Sequence, residues 1–447
     1  MLTITCHSGL DPESCWTTLY SGMLNQVQHD WLNSLHAIAA IRNVNKTVQK
    51  ELTDMQYFEF CCPTDIVFGR KAEEKLAAKV VAHGGKRVFI VYGGGSVVQS
   101  GLLARLQNSL AQADIAFTAF GGAKPNPTLA HAREGVIAAA KFGADMILAV
   151  GGGSTIDTAK AIAHGAANLN IDIWEFWSGQ KPVTQSLPVG VVLTIPAAGS
   201  ELSNSAVLTN EETGKKCGIN TQFNRPAFAL LNPELAMTLP KKQLVCGIAD
   251  IMMHTIDRYF TVEEGNEFTD CIAEALLKTV IKYAPVLAAD RKNYAAMSEI
   301  MWCGSVSHNG FTSLGRTMDF GVHKLGHELS GRFDVTHGAS LTAMWGSWAR
   351  TAYPLAPERF ARYAQMVWNV TTGTAEEKAR AGIRQTEEFW HRLGLPISFT
   401  ELGIGVQSDE TLAELAAMCT TNDTKPVGVF LNLDQATALN IYRQANR

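Results

Sequence analysis

From residue 55 onward, apolar and polar positions follow two periods in alternation. KRVFIVY (86–92), IAFTAF (115–120) and DMILAV (145–150) are strand-sized apolar runs, whereas KAEEKLAAKVVAHGG (71–85), SVVQSGLLARLQNSLAQA (96–113) and LAHAREGVIAAAKFG (129–143) place apolar residues at helical spacing. Strands alternating with helices predict a parallel sheet with right-handed crossovers. Ahead of them, QYFEFCCPTDIVFGR (56–70) reads as extended segments running to a turn at Gly69. After them, residues 187–219 offer two strand-like runs separated by PAAGSE and then a hairpin around NEETGKK. Past Pro233 the pattern turns helical, and the Met, Trp and Phe stripes of these helices read as core packing. The chain therefore divides into an atypical extension (1–54), an α/β domain (55–240) and an all-helical domain (241–447).

Residues 1–54 sustain neither period. They lack the basic start and apolar core of a secretory signal and the arginine content of a transit peptide. Their text resembles translated bacterial intergenic repeat sequence, which gives the expectation of an upstream start codon with Met55 near the ancestral start.

With 46% apolar and 18% charged residues, 447 residues can bury a large interior and still leave an oligomer interface. A net charge of −4 gives no electrostatic argument for nucleic acid or an anionic membrane. No apolar run reaches the length of a membrane span. Nine irregularly spaced cysteines without CxxC predict free thiols and a cytoplasmic location, with Cys61, Cys62 and Cys246 as small buried hydrophobes.

Two glycine runs end predicted strands. In GGGSTIDTAK (151–160) the glycines let a backbone approach a ligand closely, Ser154 is placed to cap the next helix, and Asp157 completes a capping-box pattern. Helix amides would then face a pyrophosphate. YGGGS (92–96) repeats the device after another strand, as a nucleotide cleft requires. It carries no acid to bond an adenosine ribose and repel a 2′-phosphate, which points to NADP(H) over NAD(H).

The helical half holds the second cluster. Asp250 and His254 are four apart, so on a helix both reach one ion; His323 and His327 repeat the spacing, and His337 follows through a glycine-containing loop. Asp250, His254, His323 and His337 make an imidazole-rich set with one carboxylate, suited to zinc, iron or a similar divalent ion. His308 has no partner spacing and is left outside. With few basic residues between 250 and 337, the cleft reads as weakly charged, which favours small neutral substrates over acids.

GGGSTIDTAK, TIPAAGSE, Asp250 with His254, and HKLGHELSGRFDVTHG stand in an order that resembles the iron-containing (group III) alcohol dehydrogenases. The likeness covers nearly the whole chain from Met55 and is nearest the butanol dehydrogenase and NADPH-dependent aldehyde reductase branch. It implies a dehydroquinate synthase-like fold: a Rossmann-like dinucleotide domain, an all-helical metal domain and a site between them. It places the metal (Fe2+ or Zn2+) on Asp250, His254, His323 and His337. Cofactor contacts fall on Gly94, Gly95, Ser96, Asn126, Gly152, Gly153, Ser154, Asp157, Lys160, Thr194 and Lys216, and His327 lies beside the metal. His327 is the candidate proton relay because histidine titrates near neutrality, and a core histidine bonded to backbone is the alternative. A homodimer is expected from the branch. Three functions follow: a metal-dependent NADP(H) alcohol dehydrogenase or aldehyde reductase, a synthase of the dehydroquinate synthase type, or a non-catalytic nucleotide and metal sensor.

Overall fold

Runs that are apolar at every position bury both faces of their strand, and such strands occupy the middle of a parallel sheet. The computed structural model describes residues 54–424 and 427–447. The reading of 1–54 as an extension falls outside the described residues, apart from Asp54. Gln56–Arg447 form one unit.

Its strands are β1 (Asp65–Phe68), β2 (Arg87–Tyr92), β3 (Ala116–Phe120), β4 (Met146–Gly151), β5 (Val189–Leu193), β6 (Ser205–Asn210), β7 (Lys215–Asn220) and β8 (Phe228–Leu231). Six of them pair in the order β1-β8-β5-β4-β2-β3, all parallel, while β6 and β7 form the predicted hairpin as a separate antiparallel sheet. Every residue of β4, β5 and β8 is buried.

Alternation along β2 assigns its two faces. Val88 and Ile90 pack with Leu76 and Val80 of α1 (Leu76–Ala82) and Leu106 and Leu110 of α2 (Leu102–Gln112). Phe89 and Val91 face the other way, toward Ala139 of α3 (Leu129–Phe142) and Ile156 and Ile162 of α4 (Gly153–Ala167). The helices after β2 and β4 therefore leave neighbouring strands on opposite faces, which opens a crevice at the strands' carboxyl ends.

Three local readings need correction. The helix expected over 96–113 breaks into Ser96–Gln99 and α2, because Gly101 sits at φ 70° and turns the chain. The stretch 71–85 opens as a 3-10 turn, Ala72–Lys75, before α1. Cys61 is exposed and Cys62 half-buried, since the segment before β1 lies in no sheet.

The helical portion begins with α5 (Lys241–Tyr259), followed by α6 (Glu267–Ala289), α7 (Tyr294–Ser307), α8 (Gly321–Phe333) and α9 (His337–Ala352). Then come α10 (Pro357–Trp368), α11 (Ala375–Arg392), α12 (Asp409–Cys419) and α13 (Gln435–Ala445). From Leu244 to Tyr259, α5 is buried on all sides, so it is the central rod. Around it the aromatic stripes are core as expected: Trp345, Trp348 and Trp390 are completely buried, each stabilising by roughly 2–3 kcal/mol on burial alone. Among the described residues no helix is long and apolar enough to cross a membrane.

Candidate active site

β2 and β4 pair side by side, so their glycine turns lie together at one sheet edge. The second turn needs glycine for space, not for an unusual φ: at Gly152 the backbone is extended, and a Cβ there would lie 2.8 Å from Ile195 Cβ. Gly152 is the N-cap of α4 and no side chain caps the helix, which leaves its first amides for an anion. Ser154 is therefore inside the helix, correcting its reading as the cap. Asp157 likewise closes no capping box: its carboxylate accepts from Ser200 Oγ at 2.6 Å and Val207 N at 2.9 Å, tying α4 to the loop and hairpin beyond β5.

Gly94, Ser96, Asn126, Gly152, Gly153, Ser154, Asp157, Thr194 and Lys216 all line one cavity of about 1460 Å³. Gly95 and Lys160 do not. Lys160 is the clear departure: completely buried, its Nζ donates to Ser200 O and Oγ at 2.8 Å each, Ser205 O at 2.8 Å and Ser203 O at 3.2 Å. With its donors used, it fixes the loop after β5 and has none left for a ligand. Lys216 instead reaches across from β7 and donates to Asn126 Oδ1 at 3.0 Å. Burial pulls its pKa down, against the opposing pull of Asp250.

The same cavity reaches the helical cluster. On α5, Asp250 and His254 share a face, and α8 and the start of α9 bring His323 and His337 to it. Three imidazoles point Nε2 at one atom, Asp250 Oδ1: His254 at 3.5 Å, His337 at 3.6 Å and His323 at 3.7 Å. At these distances Asp250 Oδ1 and His323 Nε2 are buried without a hydrogen-bond partner. Converging orphaned donor atoms of this kind fit a divalent cation. Asp250, His323 and His337 bring ligand atoms within 4.8 Å of one another, and His254 Nε2 stands beside them, 3.5 Å from Asp250 Oδ1.

The electrostatics agree with a cation site. Burial pushes Asp250 up, yet His337 and His323 outweigh it and keep the carboxyl ionised. Burial pushes His337 down to about 3, so it presents a neutral imidazole. His323 is opposed by burial but raised by Asp257, whose Oδ2 lies 2.5 Å from its Nδ1. That bond orients the ring and leaves Nε2 for the cluster.

His327 lies next to the trio, its ring centroid 5.1 Å from that of His337. Burial, reinforced by Lys216, holds it well below the ordinary histidine range. It is uncharged at neutral pH, so near-neutral titration no longer argues for it as proton donor, although its position does.

Sequence reasoning missed Asp257 and His308, and left Cys246 out of the site. Asp257 was findable, being seven residues after Asp250 on the same helix. His308, left outside by spacing, stacks on His254 with centroids 4.1 Å apart and lines the cavity. Its Nδ1 lies 2.6 Å from Ala198 O, which fixes the ring. Cys246 is buried as expected but also lines the cavity one turn before Asp250, and burial pushes its thiol to about 11. The expectation of a weakly charged cleft also fails. Lys124, Lys216, Arg225, Lys242, Arg258, Arg316 and Lys324 line it against Glu59, Asp157, Asp250, Glu263 and Asp334: Arg258, Arg316 and Lys324 come from within 250–337 itself, and the rest are brought in from outside that stretch.

Residues 63–233 match the family model for iron-containing alcohol dehydrogenase, and residues 244–446 match that for the C-terminal part of the Fe-containing alcohol dehydrogenase family. NADH-dependent butanol dehydrogenase A of Clostridium acetobutylicum is 34% identical, covering 88% of this chain and 100% of its own. NADPH-dependent aldehyde reductase YqhD of Escherichia coli is also 34% identical, over 78% of this chain and 90% of its own. The crystal structure of NADH-dependent butanol dehydrogenase A from Thermotoga maritima superposes with a TM-score of 0.84 at 30% identity, covering 88% of this chain and 99% of its own.

Proposed function

Since the chain belongs to the iron-containing alcohol dehydrogenase family, and so to nicotinamide- and metal-using alcohol–aldehyde oxidoreductases, we propose that it is an NADP(H)-dependent alcohol dehydrogenase or aldehyde reductase. The observation that carries the reading is the cluster of orphaned atoms around Asp250 Oδ1 in the same cavity as both glycine turns. A divalent ion, Fe2+ or Zn2+, held by Asp250, His323 and His337 with His254 adjoining, would polarise the substrate's oxygen. NADP(H) would carry the hydride.

The chain's own groups supply order and exclusion. Gly152 and Gly153 let the cofactor's phosphates approach the α4 amides, and Thr194, fixed by its N–H to Gly151 O at 3.0 Å, borders them. Asn126 holds Lys216 over the cleft, between the turns and the imidazoles. Asp257 fixes the tautomer of His323, and the buried walls exclude water from the reacting atoms. His327, neutral and adjacent, would take up a proton at one ring nitrogen as it releases one from the other, and so relay it without storing charge.

NADP(H) is favoured because residues 93–100, following β2, contain no acid. We also propose a homodimer, to be checked by sedimentation. The deciding experiment is metal analysis of the purified protein with initial rates on butanal using NADPH and NADH. NADPH preference and loss of rate on chelation are expected. A clear NADH preference would defeat the reading of the first turn, and rates indifferent to chelation would defeat the metal's role.

A further inference from the structure

Arg258 continues the stripe Asp250–His254 by one more turn of α5 and lines the cavity while only 3% exposed. Its Nη1 donates to His254 O at 2.6 Å and lies 3.3 Å from His254 Nδ1, its Nε is buried without a partner, and the guanidinium rests over the Phe320 ring. Among the described residues no carboxylate lies within ion-pairing distance of it. The other arginines of the helical core differ in this respect: Arg316 and Arg359 pair with Asp270, Arg362 with Glu274, and Arg350 with Glu387. A buried cation without a counter-ion is costly, and is retained where a ligand supplies the anion. The nearest acids act on it only without pairing: Asp257, whose Oδ2 accepts from His323, and Asp250 both favour its charge from beyond ion-pairing distance, and the Glu263 carboxylate is bonded to Thr261 and Thr317.

The geometry also sets the reach. One imidazole, His254, separates Arg258 at its Nδ1 from Asp250 at its Nε2, 3.5 Å away. Asp250, His254, Arg258, His308 and Phe320 all line the one cavity, so a short substrate with its oxygen at the Asp250 cluster has the guanidinium on the wall of the same space, past the His254 ring. We propose that the physiological substrate is an aldehyde or alcohol bearing a terminal carboxylate, which Arg258 binds through its planar fork. The proposal rests on the alcohol–aldehyde reading above and names the substrate class.

The test compares 4-oxobutanoate with butanal on the metal-loaded enzyme with NADPH, and measures 4-hydroxybutanoate binding by calorimetry. In the wild type, kcat/KM for 4-oxobutanoate should exceed that for butanal by roughly 10- to 100-fold, the span of a charge-assisted hydrogen-bond pair. Arg258→Gln should erase that ratio and weaken 4-hydroxybutanoate binding, while Arg258→Lys keeps part of both. Butanal preferred in the wild type, or a ratio indifferent to Arg258→Gln, overturns the proposal and leaves the alcohol–aldehyde reading standing. If neither aldehyde is reduced, that reading fails and calorimetry decides alone: binding unchanged by Arg258→Gln overturns the anion site. Should Arg258→Gln not fold, the wild-type ratio and Arg258→Lys still decide between the two outcomes.

Discussion

The two ends of the cavity are built from opposite materials. At the sheet end, the turns after β2 and β4 work through what is missing: no Cβ at Gly152, no side-chain cap on α4, no acid after β2. At the helical end, function depends on which side chains are present, since one carboxylate oxygen collects three imidazole nitrogens. A backbone cradle tolerates many neighbours and fails when atoms are added. A donor cluster fails when atoms are exchanged. Substitutions should therefore separate the two ends cleanly.

The largest effect is expected from Asp250→Asn. It removes the carboxylate on which the imidazoles converge, and with it the several kcal/mol a bound cation contributes, so activity should fall by at least about a thousandfold and metal content should drop. Dinucleotide affinity, read by NADPH fluorescence, should survive; its loss would mean the ends are not separable. Gly152→Val attacks the other end. Its Cβ would stand 2.8 Å from Ile195, and displacing the turn by even a fraction of that should raise the cofactor KM, with about a hundredfold loss of rate at low NADPH. Metal content should stay at the wild-type level. A variant with normal cofactor KM would show that the turn does not approach the ligand.

How far each end was legible follows from the same contrast. KRVFIVY and DMILAV could be read as strands because unbroken apolar runs bounded by glycine allow little else, and Asp250, His254 and His323 because helical spacing is local. Lys160 misled because the carbonyls that absorb it, of Ser200, Ser203 and Ser205, arrive from a loop some forty residues later. His308 was invisible for a related reason. It follows α7 and reaches His254 through tertiary packing in which Gly304 faces Ile251 of α5, where a Cβ would already be 3.2 Å from Ile251 Cδ1. Arg258 gives no signal along the chain, since sequence does not reveal that an arginine lacks its acid.

A smaller effect sharpens the helical end. Asp257→Asn keeps the size of the side chain but weakens its bond to His323 Nδ1, and metal affinity should fall roughly 10- to 100-fold, measured by competition with a chromogenic chelator. Asp257→Glu should recover part of it. A purely structural role for Asp257 predicts lost stability with unchanged metal affinity.

The smallest effect concerns how the helical end is closed. Asp319 is 4% exposed and its Oδ2 accepts from the N–H groups of Val429, Phe430 and Leu431, pinning the loop before α13 close to α8. Burial, with Asp257 adding to it, raises its pKa to about 6 in spite of those bonds. The unfolded chain takes up this proton only near pH 3.9, so the folded protein binds it first as pH falls. Asp319 should therefore contribute increasing stability as pH drops from about 6 toward 4, by about 2–3 kcal/mol, which is only a few degrees of Tm in a unit this large. Asp319→Asn should flatten that window, visible as the difference between wild-type and variant melting curves at pH 7 and pH 5. If the difference has the same size at both pH values, the Asp319 carboxyl is not the group that titrates there. If it runs the other way, with the wild type gaining on the variant as pH rises, the loop bonds outweigh burial and the carboxylate is the form that the helical end is built to hold.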